Sequence, residues 1–188
     1  NIEKILKNFL NSKNKKTKPI FVNNYKWLKN LNYISFLRVI GKHFTINKML
    51  TFESIKMRLE REQSLSYMEF NYMILQAYDF LELNKKKECY LQIGGSDQWG
   101  NIVNGVELIK RHSNKQVYGL TTPLITLSSG AKMGKTAEGA IWLDKKFLSP
   151  YDYWQFWRNT DDRDVIKFLK IFTDLEINEI ENLQNNDI

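Results

Sequence analysis

Cysteine, histidine and proline are scarce in this sequence, whose 188 residues include one cysteine, two histidines and three prolines. The single cysteine, Cys89, excludes an internal disulfide and is typical of a protein from a reducing compartment. His43 and His112 together with one cysteine give no metal-binding cluster of the usual spacing, so we expect no dedicated metal site. A G-x-S-x-G nucleophile motif is missing as well, which leaves no pattern typical of a serine hydrolase.

Long apolar runs are also missing. A transmembrane helix needs about 20 consecutive apolar residues, and no run here approaches that length, so we expect no membrane partner. The chain begins with Asn1 and lacks the charged-then-apolar pattern of a signal peptide. From this beginning we expect the chain to be a piece of a longer protein.

Positive charge is in excess, with 28 Lys and Arg residues against 21 Asp and Glu, a net charge of +7 and a pI near 9.3. Such a balance favours a polyanionic partner, for example a nucleic acid. An AT-rich coding sequence, which enriches Asn, Lys and Ile, explains the composition equally well, so charge alone leaves both interpretations open. The hydrophobic fraction of 43% and aromatic fraction of 13% indicate a folded globular protein.

Helical and strand patterns alternate along the middle of the chain. An apolar helix is predicted over residues 67–83, a short buried strand over 88–93, an amphipathic helix over 101–112 and a β-rich run over 117–127. Three helical patterns with acidic starts follow residue 150. This order predicts an α/β fold with a parallel sheet and a helical appendage.

Three polar side chains recur on one face of the first of these helices. Tyr72, Gln76 and Asp79 stand at positions i, i+4 and i+7, while the other faces are nearly all apolar. A carboxylate on an apolar helix needs a partner, because burying it unpaired is costly. Asp79 could cap a neighbouring helix or pair with a buried arginine. Alternatively, the three side chains form the polar floor of a pocket for a ligand with hydroxyl or amine groups.

The stretch YLQIGGSDQWGN, residues 90–101, combines a strand end, two glycines and a polar turn. Ligands of α/β proteins bind where parallel strands end, and the following helix presents a positive N-terminus there. Gly94 and Gly95 would let a ligand approach the backbone, and Asp97 could bind ribose hydroxyls. Two glycines outside a G-x-G-x-x-G motif are weak evidence by themselves, and a tight turn is the simpler interpretation.

The stretch GAKMGKT, residues 130–136, imitates a phosphate-binding P-loop. A P-loop needs four residues between its glycines and then opens a helix, whereas here three residues separate Gly130 from Gly134 and strand-like sequence follows. We therefore exclude a P-loop. A glycine-containing loop with Lys132 and Lys135 could close over phosphates, or it could be a solvated basic turn.

Taken together, these stretches resemble bacterial-type tyrosyl-tRNA synthetases, a family of class I aminoacyl-tRNA synthetases. The resemblance runs through NNYKW, FLRVIGKHF, FNYMILQAYDF, LQIGGSDQWGNI, GLTTPLIT, KMGKTAEGAIWLD and SPYDYWQFWRNTDDRDV. KMGKT looks like a variant of the class I KMSKS loop, with Gly134 in place of its serine. The resemblance implies the second half of a Rossmann-like class I synthetase catalytic domain with a following helical segment.

The resemblance implies a tyrosine site on the apolar helix. Tyr72 and Gln76 would hold the amino end of the tyrosine substrate, and Asp79 would bind its phenolic hydroxyl. Gln98 would lie near the substrate carboxyl. Asn24 and Trp27, in NNYKW, match positions close to this site.

The resemblance also implies an ATP site and a catalytic loop. Gly95 and Asp97 would bind the ribose of ATP or of the adenylate. Lys132, Lys135 and Thr136 would act catalytically by stabilising the charge on departing pyrophosphate, with Lys135 also binding ATP. ATP would enter as a substrate with Mg²⁺, and no tightly bound cofactor is implied.

The implied partners are tyrosine, ATP and tRNA(Tyr). Lys110 and Arg111 would meet the tRNA acceptor stem, and the region of Tyr67 would form a homodimer interface. The implied activity is that of a tyrosine–tRNA ligase in a bacterial cytoplasm or an organellar matrix. Two alternatives remain open: a tryptophanyl-tRNA synthetase, and a non-catalytic RNA-binding protein on a synthetase scaffold.

The sequence departs from the family in one respect. Class I synthetases carry a His-x-Gly-His motif on the first strand-to-helix turn, and neither His43 nor His112 has that context. We therefore expect an internal piece of the enzyme that is inactive alone.

The resemblance also predicts how the chain divides. It places the C-terminal part of the catalytic domain at residues 1–148 and the start of the helical domain at 149–188. Within the first, a helical insertion would occupy about 1–70, the nucleotide-fold half about 71–127 and the KMSKS-type loop about 128–140.

Overall fold

The computed structural model describes residues 2–10, 15–136 and 139–186. They form two compact units. The central unit is Val22–Leu124, and the terminal unit combines Asn1–Phe21 with Ile125–Ile188. No helix in the described ranges is both long and apolar enough to span a bilayer. The domain boundary expected between residues 148 and 149 stays a prediction.

Helices dominate both units. The central unit contains α2 (Tyr25–Leu28), α3 (Tyr33–Val39), α4 (Ile46–Leu50), α5 (Glu53–Glu60), α6 (Tyr67–Lys87), β1 (Leu91–Gly95), α7 (Trp99–Ser113) and β2 (Tyr118–Thr122). The terminal unit contains α1 (Ile2–Phe9), β3 (Lys135–Thr136), β4 (Gly139–Ala140), α8 (Pro150–Arg158), α9 (Asp162–Phe172) and α10 (Ile177–Asn186). Short 3₁₀ turns occupy Lys15–Thr17, Gly41–His43 and Ser96–Gln98.

Strands β1 and β2 pair in parallel, with Leu91 opposite Tyr118 and Gly95 opposite Thr122. Helix α7 connects them, because two parallel neighbours need a crossover rather than a tight turn. The predicted parallel sheet is therefore confirmed, and the two strands end side by side at their carboxyl edge.

Helix α7 lies unusually close to this sheet. A Cβ atom on Gly119 would lie 2.4 Å from Cγ2 of Ile102, and one on Gly94 would lie 3.1 Å from Cδ1 of the same residue. Ile102 is buried beneath the strands. The approach of the protein's own helix thus requires glycine at position 119 and leaves little room for a side chain at position 94.

The opposite face of the sheet is open in this chain. Leu91, Ile93, Tyr118 and Leu120 are between 46% and 62% exposed. Parallel sheets are normally covered on both faces, and among the described residues α7 packs on one face of this sheet. The predicted strand is confirmed. The prediction that it is a buried strand is wrong for these residues, because their side chains are exposed.

Helix α6 has strong signals at both ends. Ser66 and Glu69 form a reciprocal capping box at its start, and Arg58 binds the Glu69 carboxylate at 2.7 Å. The helix ends at Lys87, and the next residue, Glu88, has a left-handed backbone with φ of 52°. These signals fix where the long helix begins and where it ends.

Helices α6 and α7 form the centre of the core. Phe80 and Leu81 of α6 are fully buried, as are Leu108 and Ile109 of α7. The two helices meet at Gly105, where an added Cβ would lie 2.9 Å from the Phe80 ring. This packing anchors the face of α6 that points away from solvent.

The terminal unit is held by aromatic side chains of α8 and α9. The Trp157 ring lies edge-on to Phe168 and Phe172, with centroid distances of 6.0 and 5.1 Å. Such arrangements add to the free energy gained from burial alone. The helices predicted after residue 150 are confirmed, and α9 packs through this cluster.

We predict that Gly119→Ala destabilises the protein by about 1–3 kcal/mol, because the new methyl group overlaps Ile102. Denaturant unfolding measures the change. In an Ile102→Ala background the same substitution should cost clearly less. An equal cost in both backgrounds would show that the two residues are not in contact.

A second prediction concerns acid. Bonds from Arg58 and from Ser66 lower the pKa of Glu69 from 4.5 to about 2. A lowered pKa in the folded state means that the carboxylate stabilises the protein above about pH 4.5, and that this contribution is lost as the pH falls toward 2. NMR titration should find the low pKa, and Arg58→Gln should raise it. An unshifted Glu69 in the parent protein would contradict the capping geometry.

Candidate active site

The three polar residues predicted on α6 lie on the face that the core leaves free. Tyr72 is 60% exposed, while Gln76 and Asp79 are half-buried. Ala77 and Phe80, beside them in sequence, are buried in the core. The helix therefore presents a phenol, a carboxamide and a carboxylate together along one side.

Both carboxylate oxygens of Asp79 are bound by side chains from the segment around α2. The Asn24 amide donates to Oδ2 at 3.0 Å, and the Trp27 indole N–H donates to Oδ1 at 2.7 Å. Neither of the structural alternatives, a helix cap or a buried arginine, accounts for these bonds. Asp79 is instead held in place by two neutral donors.

Trp27 is itself supported from the far end of α6. The Lys86 ammonium lies 5.2 Å from the centre of the Trp27 ring and forms an ion pair with Glu82 at 2.6 Å. Burial and then the Glu82 carboxylate raise the pKa of Tyr78 to about 12. The Asp79 region is thus backed by packed and charged groups on one helix.

The glycine turn follows β1 at the carboxyl edge of the sheet. Gly95 is extended, and a Cβ there would lie 2.8 Å from Leu124 Cδ2 and 2.9 Å from the Asp97 carboxylate. Glycine therefore lets the Asp97 side chain fold back against the strand end. Asp97 itself lies in an exposed 3₁₀ turn, so its carboxylate is accessible from solvent.

Gln98 closes the turn and begins α7. Its carboxamide oxygen accepts a hydrogen bond from the Asn101 amide at 3.2 Å, and the side chain is half-buried. This bond orients the Gln98 amide group, whose N–H₂ end is a hydrogen-bond donor.

The lysine loop, residues 130–136, is part of a hairpin in the terminal unit. Gly130 and Gly134 have φ of +83° and +82°, values that favour glycine. Lys132 between them is exposed. Lys135 and Thr136 have a described backbone, as β3, but the predicted roles of their side chains fall outside the described residues.

The two cations predicted for RNA differ in their surroundings. Lys110 is exposed in the last turn of α7. Arg111 donates to the main-chain carbonyl of His43 and forms an ion pair with Glu107 at 3.2 Å. Arg111 therefore joins α7 to the turn before α4, whereas the Lys110 side chain is exposed to solvent.

Tyr67, at the start of α6, is exposed and hydrogen-bonds through its hydroxyl to that of Tyr33. This bond raises the pKa of Tyr33. The pair borders an apolar groove in which Phe36, Met68 and Leu75 take part. Within the described residues there is no group of three His, Cys, Asp or Glu that could hold a metal ion.

Comparison with known proteins bears on this arrangement. A family model described as "tRNA synthetases class I (W and Y)" matches residues 1–187. The chain belongs to this family. The tyrosine–tRNA ligase of Pelagibacter ubique (strain HTCC1062) is 81% identical over 188 residues, which is 100% of this chain and 46% of that protein. The chain thus spans less than half the length of this synthetase relative.

Solved structures agree with the family. A C-terminally truncated mitochondrial tyrosyl-tRNA synthetase from Aspergillus nidulans has a TM-score of 0.76 and 32% identity, covering 99% of this chain and 56% of that one. Tryptophanyl-tRNA synthetase from Campylobacter jejuni has a TM-score of 0.50 and 17% identity, covering 81% and 51%. The second likeness shows the fold alone, and the predicted class I synthetase fold is confirmed.

Sequence reasoning alone does not assign the parts that Asn24 and Trp27 play beside Asp79. The resemblance marks them only as positions near it, whereas the structure makes them the hydrogen-bond donors to Asp79. The usable signal is the Asn24 amide and the Trp27 indole N–H in NNYKW, a segment that is rich in hydrogen-bond donors and has no carboxylate of its own.

We predict that the Trp27 indole proton exchanges slowly with solvent, because it is bound to Asp79 at 2.7 Å. Asp79→Ala should accelerate that exchange several-fold in an NMR measurement. The indole proton of exposed Trp142 serves as the control and should be unchanged. Equal exchange at Trp27 before and after the substitution would contradict the bond.

Proposed function

We propose that this chain is part of a tyrosine–tRNA ligase, which activates tyrosine with ATP and transfers it to tRNA(Tyr). The observation that carries the proposal is the Asp79 carboxylate, bound at both oxygens by Asn24 and Trp27 on a helix face that also presents Tyr72 and Gln76. The name of the 81% identical relative supports the same activity.

Asp79 would select tyrosine through its phenolic hydroxyl. An ionised carboxylate offers about four lone-pair directions, and Asn24 and Trp27 use two of them. A remaining direction can accept the hydroxyl proton of tyrosine. Phenylalanine would leave the carboxylate desolvated without that bond, which is the physical basis of strong discrimination.

The proposed reaction has two steps. A carboxylate oxygen of tyrosine attacks the α-phosphorus of ATP, the bond between the α-phosphorus and the bridging oxygen breaks, and pyrophosphate leaves. A ribose hydroxyl of the tRNA then attacks the tyrosyl carbonyl, and AMP leaves. Tyr72 and Gln76 would hold the ammonium group of tyrosine, and the Gln98 amide would lie near its carboxyl group. These contacts lower the barrier by positioning.

The nucleotide part of the proposal uses the glycine turn and the lysine loop. Gly95, where an added Cβ would crowd the Asp97 carboxylate, would let the nucleotide lie close to the strand end, and the exposed Asp97 would accept bonds from the ribose hydroxyls. Lys132, Lys135 and Thr136 would stabilise the negative charge of the departing pyrophosphate. Such donors act mainly in the transition state, where charge develops.

Magnesium enters the proposal only with the substrate, as MgATP. Its ligands would be phosphate oxygens and water, which is the usual arrangement where a protein offers few carboxylates. The described residues hold no cluster of three metal-binding side chains, so no step is assigned to a metal held by this chain.

RNA binding and assembly complete the proposal. The exposed Lys110 and the net charge of +7 suit contact with the tRNA backbone, with Arg111 beside it. The apolar groove bordered by Tyr33 and Tyr67 suits a homodimer contact. A bacterial cytoplasm or an organellar matrix is the proposed location.

We predict that Asp79→Ala, in the full-length protein carrying this chain, lowers kcat/KM for tyrosine by orders of magnitude. The ratio of kcat/KM for tyrosine to kcat/KM for phenylalanine should become smaller. Tyrosyl-tRNA synthetases are themselves the established example of this discrimination, and the ratio of about 10⁵ belongs to that example rather than to this chain. Tyrosine-dependent and phenylalanine-dependent pyrophosphate exchange give the two values of kcat/KM.

The control is Asp174→Ala, which removes an exposed carboxylate from the terminal unit and should leave both activities unchanged. Circular dichroism checks that each variant is folded. If the two activities fall together at a constant ratio in Asp79→Ala, the carboxylate has a structural role and the proposed pocket is wrong.

A further inference from the structure

Helix α9 carries a charged pair that the proposed function does not use. Asp164 is only 2% exposed, and its Oδ1 accepts a bond from the Lys167 ammonium at 2.6 Å, one helical turn later. A buried carboxylate is costly unless every oxygen is bound. The partner of the second oxygen, Asp164 Oδ2, therefore shows which part of the chain this pair contacts.

That second oxygen binds the main chain just before the lysine loop. Asp164 Oδ2 accepts the backbone N–H of Ser128 at 2.7 Å, and the Lys167 ammonium donates to the backbone carbonyl of Thr126. Two side chains of α9 thus hydrogen-bond to two backbone groups of one short segment, residues 126–128.

This segment is one arm of the hairpin that carries Lys132. Thr126 lies directly opposite Lys132 in an antiparallel bridge. On either side of this bridge, Leu127 N–H donates to the carbonyl of Ala131 at 2.8 Å, and Met133 N–H donates to that of Ile125 at 2.9 Å. Fixing residues 126–128 therefore fixes the backbone position of Lys132.

The hydrogen bonds to residues 126–128 are stronger when the Asp164 carboxylate is charged. The bond from Lys167 and then the Ser128 N–H lower the pKa of Asp164, so the carboxylate stays charged at neutral pH. Hydrogen bonds in which one partner is charged are about twice as strong as neutral ones. Removing Lys167 leaves Oδ1 of the buried Asp164 carboxylate without its ionic partner, which loosens the contact further.

We propose that Asp164 and Lys167 are positioning residues that hold the backbone of the hairpin bearing Lys132 in place. The inference rests on the proposed function for its catalytic consequence, but its structural part can be tested separately. A pair that merely stabilised α9 would affect unfolding without a specific effect on the hairpin.

Limited trypsin digestion of the full-length protein tests the structural part. Trypsin cleaves after lysine, and the cleavage rate within a folded protein follows how often the segment opens. Asp164→Asn and Lys167→Met should each accelerate cleavage after Lys132 by roughly tenfold. Asp162→Asn and Lys170→Met are matched controls on exposed positions of the same helix and should not change it.

Kinetics of pyrophosphate exchange test the catalytic part. Misplacing a reacting group by about 1 Å can lower a rate by about 10²-fold. Asp164→Asn and Lys167→Met should therefore lower kcat by about tenfold to 10²-fold, with KM for tyrosine within about twofold of the parent. Lys167→Arg retains a cation that can reach both oxygen acceptors, and it should restore most of the rate.

Three outcomes overturn the inference. Cleavage after Lys132 that is unchanged in both variants shows that the pair does not hold the hairpin. Accelerated cleavage with an unchanged kcat shows that these hydrogen bonds do not serve the reaction. A loss of kcat in folded variants that is matched by the controls shows a general effect of α9.

A parallel Lys132→Ala variant separates the inference from the proposed function. If Lys132→Ala retains the parent kcat, the proposed role of the loop is wrong whatever the digestion shows. If Lys132→Ala loses activity while the Asp164 and Lys167 variants match the parent, the proposed role of the loop stands and the positioning inference alone fails.

Discussion

Asp79 accepts a hydrogen bond on each carboxylate oxygen, from donors 55 and 52 residues earlier in the chain. Such a carboxylate cannot rotate freely, and its remaining lone pairs point in fixed directions. These two bonds give the Asp79 carboxylate a defined orientation on the polar face of α6. Asn24 and Trp27 must be brought to the helix by the folding of the whole central unit, so the site depends on packing far from it.

Helix α7 connects that face to the turn that bears Asp97. It packs on α6 at Gly105, and it packs on the sheet where Gly94 and Gly119 leave room for Ile102. The Asp97 turn begins at the end of the same sheet. Gly94, one of the two glycines that the sequence pattern assigns to a ligand, therefore also serves the close approach of α7, because a Cβ atom there would lie only 3.1 Å from a side-chain carbon of Ile102.

The sequence predicts the elements of this site better than their contacts. Helical spacing places Tyr72, Gln76 and Asp79 on one face, and the structure confirms that arrangement, because the period of a helix is fixed. No periodicity links Asp79 to Trp27, since that contact arises from the path of the chain between them. The exposed face around Ile93 is likewise not predicted, because an apolar run does not say whether anything covers it.

The central claim is that Asp79 receives the phenolic hydroxyl of tyrosine, and a crystal structure of the full-length protein with bound tyrosine tests it most directly. The account predicts the phenolic oxygen about 2.5–2.8 Å from an Asp79 carboxylate oxygen, with the bonds from Asn24 and Trp27 retained. A tyrosine bound with its hydroxyl on another group, while Asp79 keeps only its two internal donors, would contradict the account.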